Sequence, residues 1–215
     1  MNTTRRRLLL VMGVALPAVI PFCSASADVG LSWAAAYIRR IGDELAAIMA
    51  NAGSSELRRR NLRPFLDRVV DVEGVARFCL GRFWRQVTPA QQRDYIQVFH
   101  AVLTNAVLGR VGDYEHNEVR VLIDQPETRE GAVQVPTVVE RTRNPPVKVT
   151  WVVSGGPDNP RIADVIAEGV SLRLTVRSDY NAFLTRHGDS IDALVEALRQ
   201  QACDGCAPAR LPASQ

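Results

Sequence analysis

Two thiols set three residues apart, in Cys203-Asp204-Gly205-Cys206, are the sharpest local chemistry in the sequence. A C-x-x-C pair can work as a redox dithiol or supply half of a metal site. Redox work normally places such a pair at a helix N-terminus beside a sheet, whereas this one stands in a terminal stretch rich in Gly, Ala, Pro and Ser. A zinc site would need two further ligands. Cys79 falls inside a predicted helix, and His100, His116 and His187 show no ligand spacing. The motif therefore reads as a tail disulfide suited to an oxidising compartment, and no metal site is expected. Asp164 and His100 offer acid–base chemistry of the kind that small cone-shaped α+β folds direct at apolar substrates. Their plain reading is a structural aspartate and a surface histidine. No G-x-S-x-G, H-E-x-x-H or phosphate loop occurs, so no catalytic residue and no cofactor is expected. Arg141 and Arg143, near a strand end, could attract phosphate, and read as a solvated surface pair.

The compartment follows from the N-terminus. Arg5, Arg6 and Arg7 precede an apolar run from Leu8 to Phe22, and Ala25-Ser26-Ala27 provides a small-residue cleavage site before Asp28. That is the three-part pattern of a cleaved secretory signal over residues 1–27. The apolar run is too short, and too interrupted by Pro17 and Pro21, for a spanning helix of roughly 20 residues. Thr4-Arg5-Arg6-Arg7-Leu8-Leu9 also resembles a twin-arginine signal, so both export routes stay open. Ile20-Pro21-Phe22 before Cys23 lacks the small residues of a lipoprotein attachment site. Without residues 1–27 and their three arginines, 23 basic side chains face 23 acidic ones. A neutral chain has no broad electrostatic drive toward nucleic acid. Residues 28–202 suffice for a single domain with a sizeable core, and 203–215 read as a loose tail.

The elements that would position any site divide into helices first and strands second. Leu31 to Ala52 carries Ala34, Tyr37, Ile38, Ile41, Leu45, Ile48 and Met49 at helical spacing. Ser55 can cap a second helix toward Val69 or Val70, which Pro64 should kink or split at Arg63. Asp71 can cap a short helix that Gly81 stops. Thr88-Pro89-Ala90-Gln91 is a capping box, and the helix behind it is apolar over more than half its circumference, from Tyr95 to Val111. Such a helix must be buried on two sides or face an apolar ligand.

Alternation marks strands at Val119–Ile123, Val133–Val139 and Val147–Val153, with a fourth over Arg161–Ala167. Pro136 predicts an edge or a bulge for its strand. Short connections favour an antiparallel meander. Leu172 to Leu184 fits a helix stopped by Gly188, and a last amphipathic helix carries Ile191, Leu194, Val195 and Leu198, capped by Asp189 or Ser190. The fold class is thus α+β, an antiparallel sheet of about four strands backed by several helices.

Two stretches together resemble one family. Gly81-Arg82-Phe83-Trp84-Arg85-Gln86-Val87-Thr88-Pro89-Ala90-Gln91-Gln92 is similar to its L-G-x-x-W-R-x-x-T-P-x-Q-x segment, and Ala163-Asp164-Val165-Ile166-Ala167-Glu168-Gly169-Val170-Ser171-Leu172 to its Y-D-V-x-x-E-G-V-S-L. Their spacing and the trailing Arg177-Ser178-Asp179-Tyr180 agree. The family is MlaC, the toluene-tolerance (Ttg2-type) periplasmic proteins, and the resemblance covers about Ile38 to Gln200. It implies a curved sheet with phospholipid acyl chains held in an apolar cavity between sheet and helices. It also implies a periplasmic shuttle between an outer-membrane lipoprotein complex and an inner-membrane ABC transporter with an MCE-domain subunit. The chain departs from the pattern at Pro160-Arg161-Ile162-Ala163 and at Thr175-Val176-Arg177, which bears on the lipid carried. The hopanoid-associated HpnM proteins share the layout, so a hopanoid-linked carrier is the near variant; a small cavity enzyme using Asp164 and His100 is the alternative of a different class.

A lipid carrier needs apolar surface rather than a reacting group. The expected cavity lining is Val135, Val139, Val149 and Trp151 from the strands, with Val102, Leu103 and Val107 from the long helix. Phe83 and Trp84 are expected to close one end.

Overall fold

Helix ends in this protein are set by side chains written next to them in the sequence. The computed structural model describes residues 30–51, 53–112, 119–141 and 144–203; the expected signal over residues 1–27, His116, Arg143 and Cys206 lie outside them. Helix α1, Ser32–Asn51, is followed by α2, Ser55–Val69, and α3, Val72–Leu80. The cap of α2 is Ser54, one residue earlier than expected, and it accepts from the Leu57 N–H. Asp71 caps α3 by accepting from Gly74 N at 3.0 Å. Pro64 neither ends nor splits α2. Its ring sits on the exposed side, while Leu62, Phe65, Leu66 and Val69 on the opposite side are buried. Their burial outweighs the one backbone bond a proline forfeits.

A 3-10 turn, Gly81–Arg85, leads to α4, Pro89–Gly112. The capping box forms as expected: Gln91 N donates to Thr88 Oγ1 at 3.3 Å, and Thr88 N donates to Gln91 Oε1 at 3.1 Å. Two orphan donors of the helix end are satisfied reciprocally.

Strands β1 (Val119–Ile123), β2 (Glu127–Arg129), β3 (Ala132–Arg141), β4 (Asn144–Ser154), β5 (Arg161–Ala167) and β6 (Val170–Ser171) form one 6-stranded sheet in the order β1-β3-β4-β5-β6, with β2 also on β3. Every pairing is antiparallel. The count exceeds the expected four because β2 is three exposed residues without alternation and β6 only two. Pro136 is not on an edge strand, since β3 is flanked on both sides. Its carbonyl accepts from Asp124 N at 2.9 Å, so its ring nitrogen faces the break between β1 and β2, where the ladder asks for no donor. Glu168 and Gly169, with φ of 48° and 81°, make the tight β5–β6 turn. Two positive φ values suit such a hairpin.

Helix α5, Leu172–Arg186, and α6, Ile191–Cys203, complete the chain. Ser190 caps α6 through Ala193 N at 3.2 Å, and α6 includes Cys203, placed in the tail by sequence. Two apolar clusters result. One joins α3, α4, α5 and α6 around Phe83, Tyr95, Phe99, Tyr180 and Leu184. The other lies between α1, α2 and the sheet, around Tyr37, Ile38, Leu62, Phe65, Val135 and Val153. Among the described residues no helix is long and apolar enough to cross a membrane.

Candidate functional site

Residues that face each other across an antiparallel pair share one side of the sheet. The register sets Val133 against Val153, Val135 against Trp151, Thr137 against Val149 and Val139 against Val147. Strand β1 adds Val121 opposite Val139 and Ile123 opposite Thr137, and β5 adds Val165 opposite Trp151. The result is a continuous apolar face across β1, β3, β4 and β5, interrupted by Thr137, with exposed Thr128 of β2 opposite Val133 at its margin. The Thr137 hydroxyl is fully used. It donates to the Val149 carbonyl at 2.7 Å and accepts from Trp151 Nε1 at 3.1 Å, which fixes the indole against the sheet. Burying both polar groups costs little because each supplies the other's partner.

Burial falls along this face. Val135 and Val153 are 0% and 1% exposed, whereas Val139, Val147 and Val149 are half-buried and Val121 is 47% exposed. The face is therefore closed against α1 and α2 at one end and open toward the β3–β4 hairpin. Leu103, Val107 and Leu108 of α4 pack against the closed part with Trp33, Leu45 and Ile48 of α1. From Ala101 to Leu108 every α4 residue except buried Thr104 is half-buried, so the helix meets apolar neighbours on more than one side, as its composition required.

The expected lining residues divide between the two clusters. Val107, Val135 and Trp151 meet in the sheet cluster, and Leu103 touches both clusters. Val139 and Val149 share the sheet face but belong to neither cluster. Phe83, Trp84 and Val102 stand in the helical cluster instead. Val121, Val133, Val147 and Thr137 belong to the alternating runs read from sequence but not to the expected lining, although register places them on the same face.

The acid–base pair does not assemble. Asp164 accepts from Val165 N at 2.8 Å, Arg173 N at 3.1 Å and Ser171 Oγ at 2.5 Å, and pairs with Arg173 Nε at 3.4 Å. It is the fastening of the α5 N-terminus. His100, expected at the surface, is 6% exposed because α4 is enclosed on its α2 side. Its Nε2 lies 2.7 Å from Asp67 Oδ1, and its Nδ1 3.3 Å from the Thr104 hydroxyl. Cys79 is 1% exposed, with its Sγ 3.6 Å from the Arg173 carbonyl, and burial pushes its thiol up to about 12. Cys203 is exposed at the end of α6, and His187 stacks on Phe183 at 4.0 Å. Of Arg141 only the backbone is described, paired with Val119 and Asn144.

Two open clefts stand apart from the apolar face. One, of about 540 Å³, is bordered by Asp67, Asp71, Glu73, His100 and Arg161. The other, of about 370 Å³, is bordered by Gly81, Arg82, Leu174, Arg177, Ser178 and Asn181. Neither includes an expected lining residue.

An antiparallel sheet with one apolar face under a helical layer is a fold already seen in a solved structure. The structure matches that of the phospholipid-binding protein from Ralstonia solanacearum in complex with a phospholipid, with a TM-score of 0.65 and 19% identity, covering 83% of this chain and 99% of that one. The profile described as MlaC protein matches residues 39–200, and the chain belongs to the MlaC family.

Proposed function

We propose that this protein is a periplasmic lipid carrier that holds phospholipid acyl chains on the apolar face between the sheet and helices α1, α2 and α4. The observation that carries the reading is the graded face itself, dry at Val135 and Val153 and open at Val139, Val147 and Val149. Membership of the MlaC family and the phospholipid held by the Ralstonia protein of the same fold support it. The carrier shuttles between an outer-membrane lipoprotein complex and an inner-membrane ABC transporter with an MCE-domain subunit, after export and cleavage before Asp28.

Carriage needs no reacting group. Burying one long acyl chain gains on the order of 10 kcal/mol at about 0.8 kcal/mol per CH₂. The same chain enjoys a comparable gain in a bilayer, so transfer is nearly balanced and reversible. An apolar face without a polar clamp meets that requirement, and the head group stays in water at the open end. Val139 and Val149 line the entrance, and Val107, Val135, Leu103 and Trp151 the interior.

The test is native mass spectrometry and lipid extraction on protein purified from a membrane-containing host. Co-purified phospholipid is the expected result. A protein that emerges empty and takes up no lipid from vesicles overturns the reading. N-terminal sequencing of the exported chain should begin at Asp28.

A further inference from the structure

The 370 Å³ cleft between the 3-10 turn and α5 is bordered by two arginines that, among the described residues, have no carboxylate partner. Arg177 lies 4.9 Å from the centre of the Phe78 ring, and Arg82 lies 4.8 Å from that of Phe83. Arg173, on the same Phe78 ring at 4.5 Å, is by contrast compensated by Asp164. Gly81 makes the approach possible: its φ is +60°, and a Cβ there would sit 3.2 Å from Arg177 Nε. Aromatic faces and a glycine thus hold two guanidinium groups beside one opening.

The rest of the cleft suits a phosphodiester rather than a bare anion. Leu174, Arg177, Ser178 and Asn181 fall at i, i+3, i+4 and i+7 of α5, one face of the helix. Ser178 and Asn181 add neutral donors beside the guanidinium groups. Leu174, on the rim, is 55% exposed, and Val170, just before the helix, is 56% exposed. A free phosphate ion has no use for exposed apolar side chains. A lipid surface does, because it presents phosphate directly above hydrocarbon.

We propose that this cleft is a docking site for the head groups of an anionic lipid bilayer. Arg82 and Arg177 take the phosphate, while Leu174 and Val170 enter the interface. The site is separate from the acyl-chain face, so docking does not depend on whether cargo is held.

The experiment is flotation of the exported chain with phosphatidylcholine vesicles, with or without phosphatidylglycerol, in low and high salt. Binding to the anionic vesicles, weakened by salt, is expected. Each interfacial arginine is worth about fivefold in partition, so Arg82→Gln with Arg177→Gln should lose about thirtyfold. Leu174→Ser should lose binding as well, and Arg120→Gln, on β1, should not. Thermal melts and the co-purified lipid content of these variants should match the parent, so failure of docking and failure of the carrier reading are distinguishable. No binding to anionic vesicles, binding indifferent to the paired substitution, or competition by inorganic phosphate with no effect of Leu174→Ser would each overturn the proposal. The last outcome would make the cleft a phosphate-ion site.

Discussion

Asp164→Ala should be among the most destabilising single substitutions in this protein, and its cost can be worked from the contacts it removes. The carboxylate is 4% exposed and accepts from two backbone N–H groups, Val165 and Arg173, and from the Ser171 hydroxyl. Ser171 in turn accepts from Leu174 N at 3.2 Å, so one side chain secures the whole first turn of α5. Alanine leaves the Arg173 N–H, an orphan donor of the helix start, without a partner and strips Arg173 of its counter-charge. Breaking a buried pair from one side costs about 3–5 kcal/mol, here toward the lower figure because the Arg173 side chain keeps 33% exposure. With a urea slope of about 2 kcal/mol per M, the midpoint should fall by roughly 1.5–2 M. Asparagine keeps an acceptor for the two N–H groups but turns a donor toward Arg173, and should cost about half as much. Urea unfolding followed by tryptophan fluorescence at pH 7 measures both. A loss under about 0.5 kcal/mol for alanine, or equal losses for the two variants, would refute this account of the network. Loss of a lipid-ester turnover in Asp164→Asn without loss of stability would instead favour catalysis.

Three further outcomes follow from other contacts. Val149→Asp puts a charge at the half-buried entrance of the apolar face and should reduce co-purified lipid at least tenfold, read by native mass spectrometry. The same variant should lose under about 1.5 kcal/mol of stability, because the site is already partly wet. Gly81→Ala forces a side chain onto a φ of +60° and against Arg177, and should cost about 1–3 kcal/mol by thermal melting. Burial raises the Cys79 thiol from 9.0 to about 12, and raises the hydroxyls of Tyr95 and Tyr180 above their usual 10.0. The unfolded chain therefore releases these protons first. Stability should hold below about pH 9, fall by about 1.4 kcal/mol per pH unit as the unfolded thiol ionises, and fall more steeply once the tyrosines join above pH 10. Urea midpoints that stay level from pH 8 to 11 would contradict this.

What was legible in the sequence was what is local. Thr88 and Gln91 name their own partners three residues apart, and Gly81 and Gly188 mark helix ends through the conformations only glycine takes easily. Valines alternating along β3 and β4 identify a dry face without any knowledge of what covers it. The misreadings share one cause, dependence on a neighbour remote in sequence. Pro136 announces a missing N–H, yet only the sheet reveals that the missing donor falls in the gap between β1 and β2. Asp164 and His100 have the right chemistry for a pair, but Asp164 is claimed by Ser171 and Arg173, and His100 by Asp67 and Thr104. Glu127-Thr128-Arg129 has no dry side at all, so no periodicity could have disclosed β2. Phe83 and Trp84, expected to close one end of the cavity, pack in the helical cluster through the 3-10 turn.

The two signature stretches turn out to be made largely of joints. In the first, Gly81 gives Arg177 room, Phe83 fills the helical core, Arg77 covers Trp84 at 5.8 Å, and Thr88 with Gln91 starts α4. In the second, Asp164 and Ser171 fasten α5, and Glu168 with Gly169 turns the hairpin, its backbone N–H reaching the Lys148 carbonyl at 2.9 Å. Each of these roles demands one residue type, because a cap needs an acceptor, a positive φ favours glycine, and a buried carboxylate needs its donors. The apolar face demands only that its members be apolar and of roughly the right volume, and valine serves at most of its positions. If the carrier proposed above holds its cargo on this face, recognition by motif and binding of cargo rest on different residues. Substitutions at the joints themselves, Gly81, Phe83, Asp164 and Ser171, should unfold the protein before they change what it binds, whereas substitutions along Val121, Val139, Val147 and Val149 should alter the lipid bound while leaving the fold intact.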